Sequence, residues 1–272
     1  MRAAILQMTS GIDPRANAAT LVDAVATAKS DGAVMLFTPE MSGLLDRDGA
    51  RAAAAITSEE DDRVLAAVRE AAARHRLWVQ LGSLAVRRAD GRFANRAYVI
   101  DEVGAIRGTY DKLHLFDVDL PAGESWRESA RYAAGERAVV VDTPLGKLGL
   151  SICYDLRFPA LFAALAEAGA TVLSVPAAFT VPTGQAHWHV LLRARAIENA
   201  AFVIAAAQSG AHEDRRATYG HALAVDPWGE VLIEMAEGAA LGFVDIDPAR
   251  VEDTRARIPV LKHRRSIPLI AA

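Results

Sequence analysis

The chain has 272 residues, 52% of them hydrophobic, which is enough to bury a sizeable core, and no run approaches the roughly 18 apolar residues that a membrane span needs. A net charge of −4 and a pI near 6.0 argue against the concentrated basic surface of a nucleic-acid binder. The one cysteine, Cys153, excludes an intramolecular disulfide, and the first residues lack the apolar core of a signal peptide, so a cytoplasmic protein is expected.

Residues 3–8 form a short apolar run that predicts a strand. Asp13-Pro14 marks a helix start, with Asp13 as N-cap and Pro14 at the first helical position, and the Ala-rich residues 15–29 keep helical spacing up to Ser30-Asp31-Gly32. Residues 34–37 predict a buried strand. Ser58, with Asp61 three positions on, predicts a capping box for a helix running to His75, and residues 78–81 follow as a strand. The middle of the chain reads as hairpins: 93–100 and 105–110 flank Asp101-Glu102-Val103-Gly104, and 138–142 and 147–152 flank Thr143-Pro144-Leu145-Gly146. Residues 159–167 read as helix, 171–175 as strand, 185–199 as helix and 202–207 as strand. A third hairpin joins 223–225 to 231–235 through Asp226-Pro227-Trp228-Gly229. Helices towards both ends, hairpins between them and no Pro/Gly/Ser-rich linker predict one α/β domain spanning 1–272.

The most informative segment runs from Lys147 to Pro159, where a hydrophobic strand ends at Cys153 and a helix begins near Pro159. A side chain on such a turn meets free backbone N–H groups, which favour a thiolate and can hold an oxyanion. A lone cysteine is more often a small buried hydrophobe, and a nucleophile needs a base. His187, His189 and His221 are available, but their spacing places none of them against Cys153. Nor is it the spacing of a zinc motif, and no Gly-rich nucleotide loop appears, so neither a metal nor a cofactor is expected. Two charged residues stand just past buried strands, where α/β sheets gather catalytic groups: Glu40 in Leu36-Phe37-Thr38-Pro39-Glu40 and Lys112 in Tyr110-Asp111-Lys112-Leu113-His114. Each also fits a solvated loop charge.

Taken together, Thr38-Pro39-Glu40, Tyr110-Asp111-Lys112-Leu113-His114-Leu115-Phe116-Asp117 and Ile152-Cys153-Tyr154-Asp155-Leu156-Arg157-Phe158-Pro159 resemble the nitrilase, or carbon–nitrogen hydrolase, superfamily, over nearly the whole chain. The resemblance implies a four-layer αββα sandwich and a cofactor-free amidase whose cysteine forms a thioester. It also implies a homodimer or higher homo-oligomer, with residues from about 258 to 272 at the subunit boundary. On this chain it implies Cys153 as nucleophile, Glu40 as general base, and Lys112 as the ammonium that lowers the Cys153 pKa and faces the oxyanion. Glu128, in Trp126-Arg127-Glu128-Ser129, becomes a second carboxylate that positions Lys112 or the substrate, and the Tyr154 backbone N–H joins the oxyanion site.

By family position Phe116, Phe179 and His187 line the substrate site. Residues 183–188, 210–221, 226–229 and 259–265 are similar to the Nit branch, which cleaves deaminated glutathione and ω-amides. The expected substrate is therefore a small carboxylate-bearing amide cleaved to acid and ammonia, with Arg215 and Arg216 pairing with its carboxylate. Other readings stay open: an ω-amidase of 2-oxo acid amides, a carbamoyl-amide hydrolase, a redox sensor using the lone cysteine, or an interaction-only homologue.

Overall fold

The computed structural model describes residues 1–119 and 125–268. Its strands are β1 (Arg2–Gln7), β2 (Met35–Phe37), β3 (Trp78–Arg87), β4 (Phe93–Ile100), β5 (Ile106–Asp111), β6 (Asp117–Asp119), β7 (Ser125–Arg127), β8 (Val140–Thr143), β9 (Gly146–Leu150), β10 (Val172–Ser174), β11 (Phe202–Ala205), β12 (Ser209–Ala211), β13 (Ala217–Tyr219), β14 (Leu223–Val225), β15 (Val231–Glu234) and β16 (Ala240–Asp245). The helices are α1 (Pro14–Ser30), α2 (Gly49–Ala55), α3 (Arg63–His75), α4 (Pro159–Glu167), α5 (Val181–Asn199), α6 (Ala249–Arg257) and α7 (Val260–His263).

Alternation along β1 sets the layering. Ala3 and Ile5 share one apolar cluster with Met35, Phe37 and the second sheet's Leu148 and Leu150. Ala4 and Leu6 point the other way, against Leu21 and Val25 of α1 and Val68 of α3. The strand is buried on both faces, as a near-continuous apolar run requires. One sheet has the order β16-β1-β2-β3-β4-β5 and the other β15-β14-β11-β10-β9-β8. Each has three parallel strands at its heart, β1-β2-β3 and β9-β10-β11, with antiparallel strands outside them. Helices α1 and α3 cover the first sheet, and α4 and α5 cover the second. This is the expected αββα sandwich.

Some boundaries differ from the sequence reading. Ser58 and Asp61 bond to each other, in a turn before α3; the N-cap of that helix is Asp62, which accepts from the Leu65 amide at 2.8 Å. Helix α5 begins at Val181, four residues before the expected 185. Elements that were not expected are α2, the ribbons β6–β7 and β12–β13, β16, α6 and α7. Of the expected boundary segment 258–272, residues 258–268 are described. There Arg264 reaches Ala163 O and Asn199 Oδ1, tying the tail to α4 and α5, while residues 269–272 lie outside the described residues. Among the described residues no helix is long and apolar enough to cross a membrane.

Candidate active site

Three of the candidate residues stand just past strands, and local chemistry fixes each one. Beyond β2, the Thr38 amide donates to Gln80 O of β3 at 3.0 Å, and the loop then lies flat on Gly82. A Cβ at Gly82 would sit 2.0 Å from Thr38 O and 2.3 Å from Pro39 O, so only glycine allows this approach. The Gly82 amide donates to Thr38 Oγ1 at 2.9 Å, and Gln208 Nε2 donates to the Glu40 carbonyl at 3.0 Å. Lys112 follows β5, and Glu128 opens a short 3₁₀ turn after β7.

Cys153 opens another 3₁₀ turn after β9, with φ at 50°, a left-handed conformation that costs a non-glycine residue about 1–3 kcal/mol. Asp155 secures that turn from within. Fully buried, its Oδ2 accepts from the Ile152 amide at 2.8 Å and from Tyr110 OH at 2.7 Å. Its Oδ1 accepts from the His114 amide at 3.0 Å and lies 2.7 Å from His114 Nδ1. One carboxylate thus ties the nucleophile turn of the second sheet to the Lys112 segment of the first.

The charged groups converge. Lys112 Nζ donates to Glu40 Oε1 and Glu128 Oε2, both at 2.9 Å. Asn95 Nδ2, from β4, donates to Glu40 Oε1 at 2.9 Å and Glu128 Oε1 at 3.1 Å, and the Phe116 amide donates to Glu128 Oε2 at 2.7 Å. The Ala178 amide donates to Glu40 Oε2 at 2.9 Å and also supports the Cys153 sulfur. Glu40, Lys112 and Cys153 are all buried.

This packing sets the protonation states. Burial raises the Glu40 pKa, but the Lys112 charge and hydrogen bonds from Cys153, Lys112 and Asn95 outweigh it and leave it below its ordinary value. Burial also works against the Lys112 ammonium, yet Glu128 and Glu40 hold its pKa well above the ordinary lysine value. Cys153 is pushed well up, first by burial and then by the Glu40 charge, against the downward pull of Lys112. The expectation that Lys112 lowers the thiol pKa therefore needs correcting. Its pull is present, but desolvation and Glu40 exceed it, and the resting sulfur is a thiol beside the Glu40 carboxylate.

These groups open onto a cavity of about 470 Å³. Phe116, Tyr154 and Phe179 line it as expected, and so do Trp126 and Arg216. The guanidinium carbons of Arg47 and Arg216 lie 5.0 and 5.1 Å from the Trp126 ring centroid. Two expected residues fall outside the wall. His187 is exposed and lies 3.3 Å from Arg157, on a face of α5 turned away from the buried Trp188. Arg215 is exposed at φ 70° in the turn between β12 and β13, so the chain presents Arg216 to the cavity instead. His189 and His221 both bond Glu234, and among the described residues none of the three histidines considered as bases contacts Cys153.

Sequence reasoning missed Asn95, Asp155, Gln208 and the Ala178 amide. Asn95 left a faint signal as a polar residue beside Arg96 in a strand otherwise apolar, and Asp155 lay within the cysteine motif itself. Gln208 and Ala178 had no local signal.

Comparison with known proteins points one way. A family model described as carbon–nitrogen hydrolase matches residues 2–256. The chain is 40% identical over 267 residues to deaminated glutathione amidase of Yersinia enterocolitica, covering 97% of this chain and 93% of that protein. The crystal structure of the Caenorhabditis elegans NitFhit protein superposes with a TM-score of 0.90 at 40% identity; it covers 97% of this chain, which spans 65% of that longer one. A mutant amidase from Nesterenkonia sp. AN1, with the acetamide moiety of fluoroacetamide covalently added at its active-site cysteine, superposes with a TM-score of 0.83 at 27% identity, covering 97% of this chain and 94% of that one.

Proposed function

The chain belongs to the carbon–nitrogen hydrolase family and acts on amides, and from that premise we propose that it hydrolyses a small carboxylate-bearing amide of the deaminated-glutathione type through a Cys153 thioester. The observation that carries this reading is the convergence of Glu40, Lys112, Glu128 and Cys153 on one cavity, with Lys112 Nζ bonded to both carboxylates.

The substrate carbonyl enters above Cys153 with its oxygen toward Lys112 Nζ and the Tyr154 N–H. As Sγ bonds the carbonyl carbon, the thiol proton passes to Glu40, and the charge appears on oxygen beside the ammonium. Glu40 then gives that proton to the leaving nitrogen as the C–N bond breaks, leaving a thioester. Water follows, deprotonated by Glu40; the acid departs and Sγ recovers its proton. Glu128 keeps Lys112 oriented throughout. The leaving group is ammonia from a primary amide and an amine from a secondary one. Deaminated glutathione carries a secondary amide, so the acid product is the one to follow.

Arg216 and Arg47, at the exposed side of the cavity near Trp126, suit a substrate carboxylate. Cys153→Ala is expected to abolish acid formation while leaving the fold intact; turnover near that of the wild type would remove Cys153 from the mechanism. Across deaminated glutathione, 2-oxoglutaramate and neutral aliphatic amides, Arg216→Ala is expected to raise KM for the acidic substrates only. Equal effects on neutral amides would refute the carboxylate role.

The reading extends to a cytoplasmic homodimer. Val190 and Ile197 are exposed on α5 and Trp228 on the adjoining turn, where Ile197 packs on Gly229. A monomer in sedimentation equilibrium would overturn the dimer.

A further inference from the structure

Away from the cavity, three side chains converge that the amidase chemistry does not use. His189 Nε2 and His221 Nδ1 each lie 2.8 Å from the same oxygen, Glu234 Oε1. The candidate donor atoms all fall within 4.8 Å of one another. They come from α5, from the three-residue link between β13 and β14, and from the end of β15, so 32 and 13 residues separate them along the chain and no short motif announces them.

The backbone beneath them is fixed. His221 sits at φ 55°, and its carbonyl accepts from Trp188 Nε1 at 2.8 Å, which ties it to the residue next to His189. Glu234 pairs with Leu223 in the β14–β15 ladder. Beneath the rings lies Tyr219, stacked on His221 at 4.3 Å and edge-on to His189 at 6.1 Å. Helix α5 rests directly on that tyrosine, because a Cβ at Gly184 would come within 2.2 Å of its ring. The three ligand-bearing side chains keep relative exposures of 32, 25 and 37%, which leaves one side open to solvent.

We propose that His189, His221 and Glu234 form a binding site for a borderline divalent transition-metal ion, with zinc the best fit. Two imidazoles and one carboxylate are a zinc donor set, binding at about 2.0–2.2 Å and leaving a fourth tetrahedral position for water. Such bonds separate donor atoms by about 3.3 Å, so the two 2.8 Å contacts need to open by about half an ångström, while the two histidine nitrogens, within 4.8 Å of each other, close by up to about 1.5 Å through side-chain rotation. A hard ion such as magnesium is disfavoured, because it prefers an all-oxygen shell with several waters. The bound ion would staple the β13–β14 junction and the end of β15 to α5.

The test is zinc competition against a chromophoric chelator on the full chain, repeated on Cys153→Ala so that the thiol cannot supply the signal. One zinc per chain is expected in both proteins. His189→Ala and Glu234→Gln, checked as folded by circular dichroism, should each weaken it by roughly 100-fold, at the top of the range seen for losing an outer-shell partner. No zinc retained at micromolar free metal overturns the proposal. So does binding that survives both substitutions, or that disappears with Cys153. None of these readouts depends on turnover, so the amidase reading and the metal site fail separately.

Discussion

Asp155→Asn isolates the contribution of the anchor from that of the reacting groups. The substitution keeps one acceptor oxygen, which can remain on His114, and puts an NH₂ where Oδ2 accepts from the Ile152 amide and Tyr110 OH. Tyr110 can turn its hydroxyl and accept. Ile152 N–H cannot, and a buried unpaired donor costs about 1–3 kcal/mol. The bonds retained on His114 fall from charge-assisted to neutral strength, which loses a similar amount. The expected destabilisation is about 3–5 kcal/mol, within what a domain of ordinary stability survives at low temperature. The kinetic effect has a different origin. Releasing Ile152 frees Cys153 to leave φ 50°, and a shift of about 1 Å in Sγ costs on the order of 10²-fold in rate. Urea unfolding and initial rates of acid formation at saturating amide measure the two losses. KM should change far less than kcat, because Asp155 does not line the cavity. An Asp155→Asn protein within twofold of wild-type kcat, or within about 0.5 kcal/mol in stability, would refute this account of the turn.

Three further outcomes follow from the same geometry. Gly82→Ala pushes a methyl into Thr38 O and Pro39 O, so the Glu40 loop must lift; a loss of about 1–3 kcal/mol in urea unfolding and a fall in kcat are expected. Lys112→Met leaves Glu40 and Glu128 unpaired in the interior at a cost of about 3–5 kcal/mol near neutral pH. Without the Lys112 charge, burial leaves Glu40 favouring protonation in the fold, so this variant should grow more stable as pH falls toward the ordinary carboxylate value of 4.5, whereas the wild type, whose Glu40 is held low, loses stability as pH falls below it; parallel pH–stability curves would contradict this. At the alkaline end the raised thiol contributes stability that is fully present below its ordinary value of 9.0. That stability is lost as pH rises further, because the unfolded chain ionises first. The wild-type advantage over Cys153→Ala should therefore shrink above pH 9 by up to about 1.4 kcal/mol per pH unit, and a constant gap would refute the raised thiol.

How much of this was legible depended on the range of each signal. Glu40 and Cys153 each follow a short apolar strand and Lys112 follows the mixed strand Ile106–Asp111, and a strand's end can be read from a handful of neighbours. Phe93–Ile100 and Pro159–Glu167 carry clear periods and were bounded correctly. β16 was not read, because Ala240–Asp245 finds its partner at the other end of the chain, in β1. Gln208 supports Glu40 across 168 residues, which no local pattern encodes. Arg215 was missed by one position, whereas His187 was missed because its face of α5 turns to solvent. On α5 a step of one residue is a turn of about 100°, enough to send His187 outward while Trp188 points in. At the β12–β13 turn the left-handed Arg215 redirects the chain, and Arg216 takes the inward place.

The protonation pattern also decides between the hydrolase and the redox reading of a lone cysteine. A redox sensor needs an accessible thiol of low pKa, since the thiolate is the species that oxidises. Cys153 is only 8% exposed and its pKa is driven upward by burial and by Glu40. The pocket already holds two carboxylates against one ammonium, so a resting thiolate would add a second uncompensated negative charge in a desolvated site. The sulfur can shed its proton at low cost only when the electron pair moves on at once, through a new C–S bond, to an oxygen beside Lys112. An acyl acceptor satisfies that condition and a dissolved oxidant does not. Iodoacetamide should accordingly modify Cys153 slowly at neutral pH, while a good amide substrate is turned over under the same conditions.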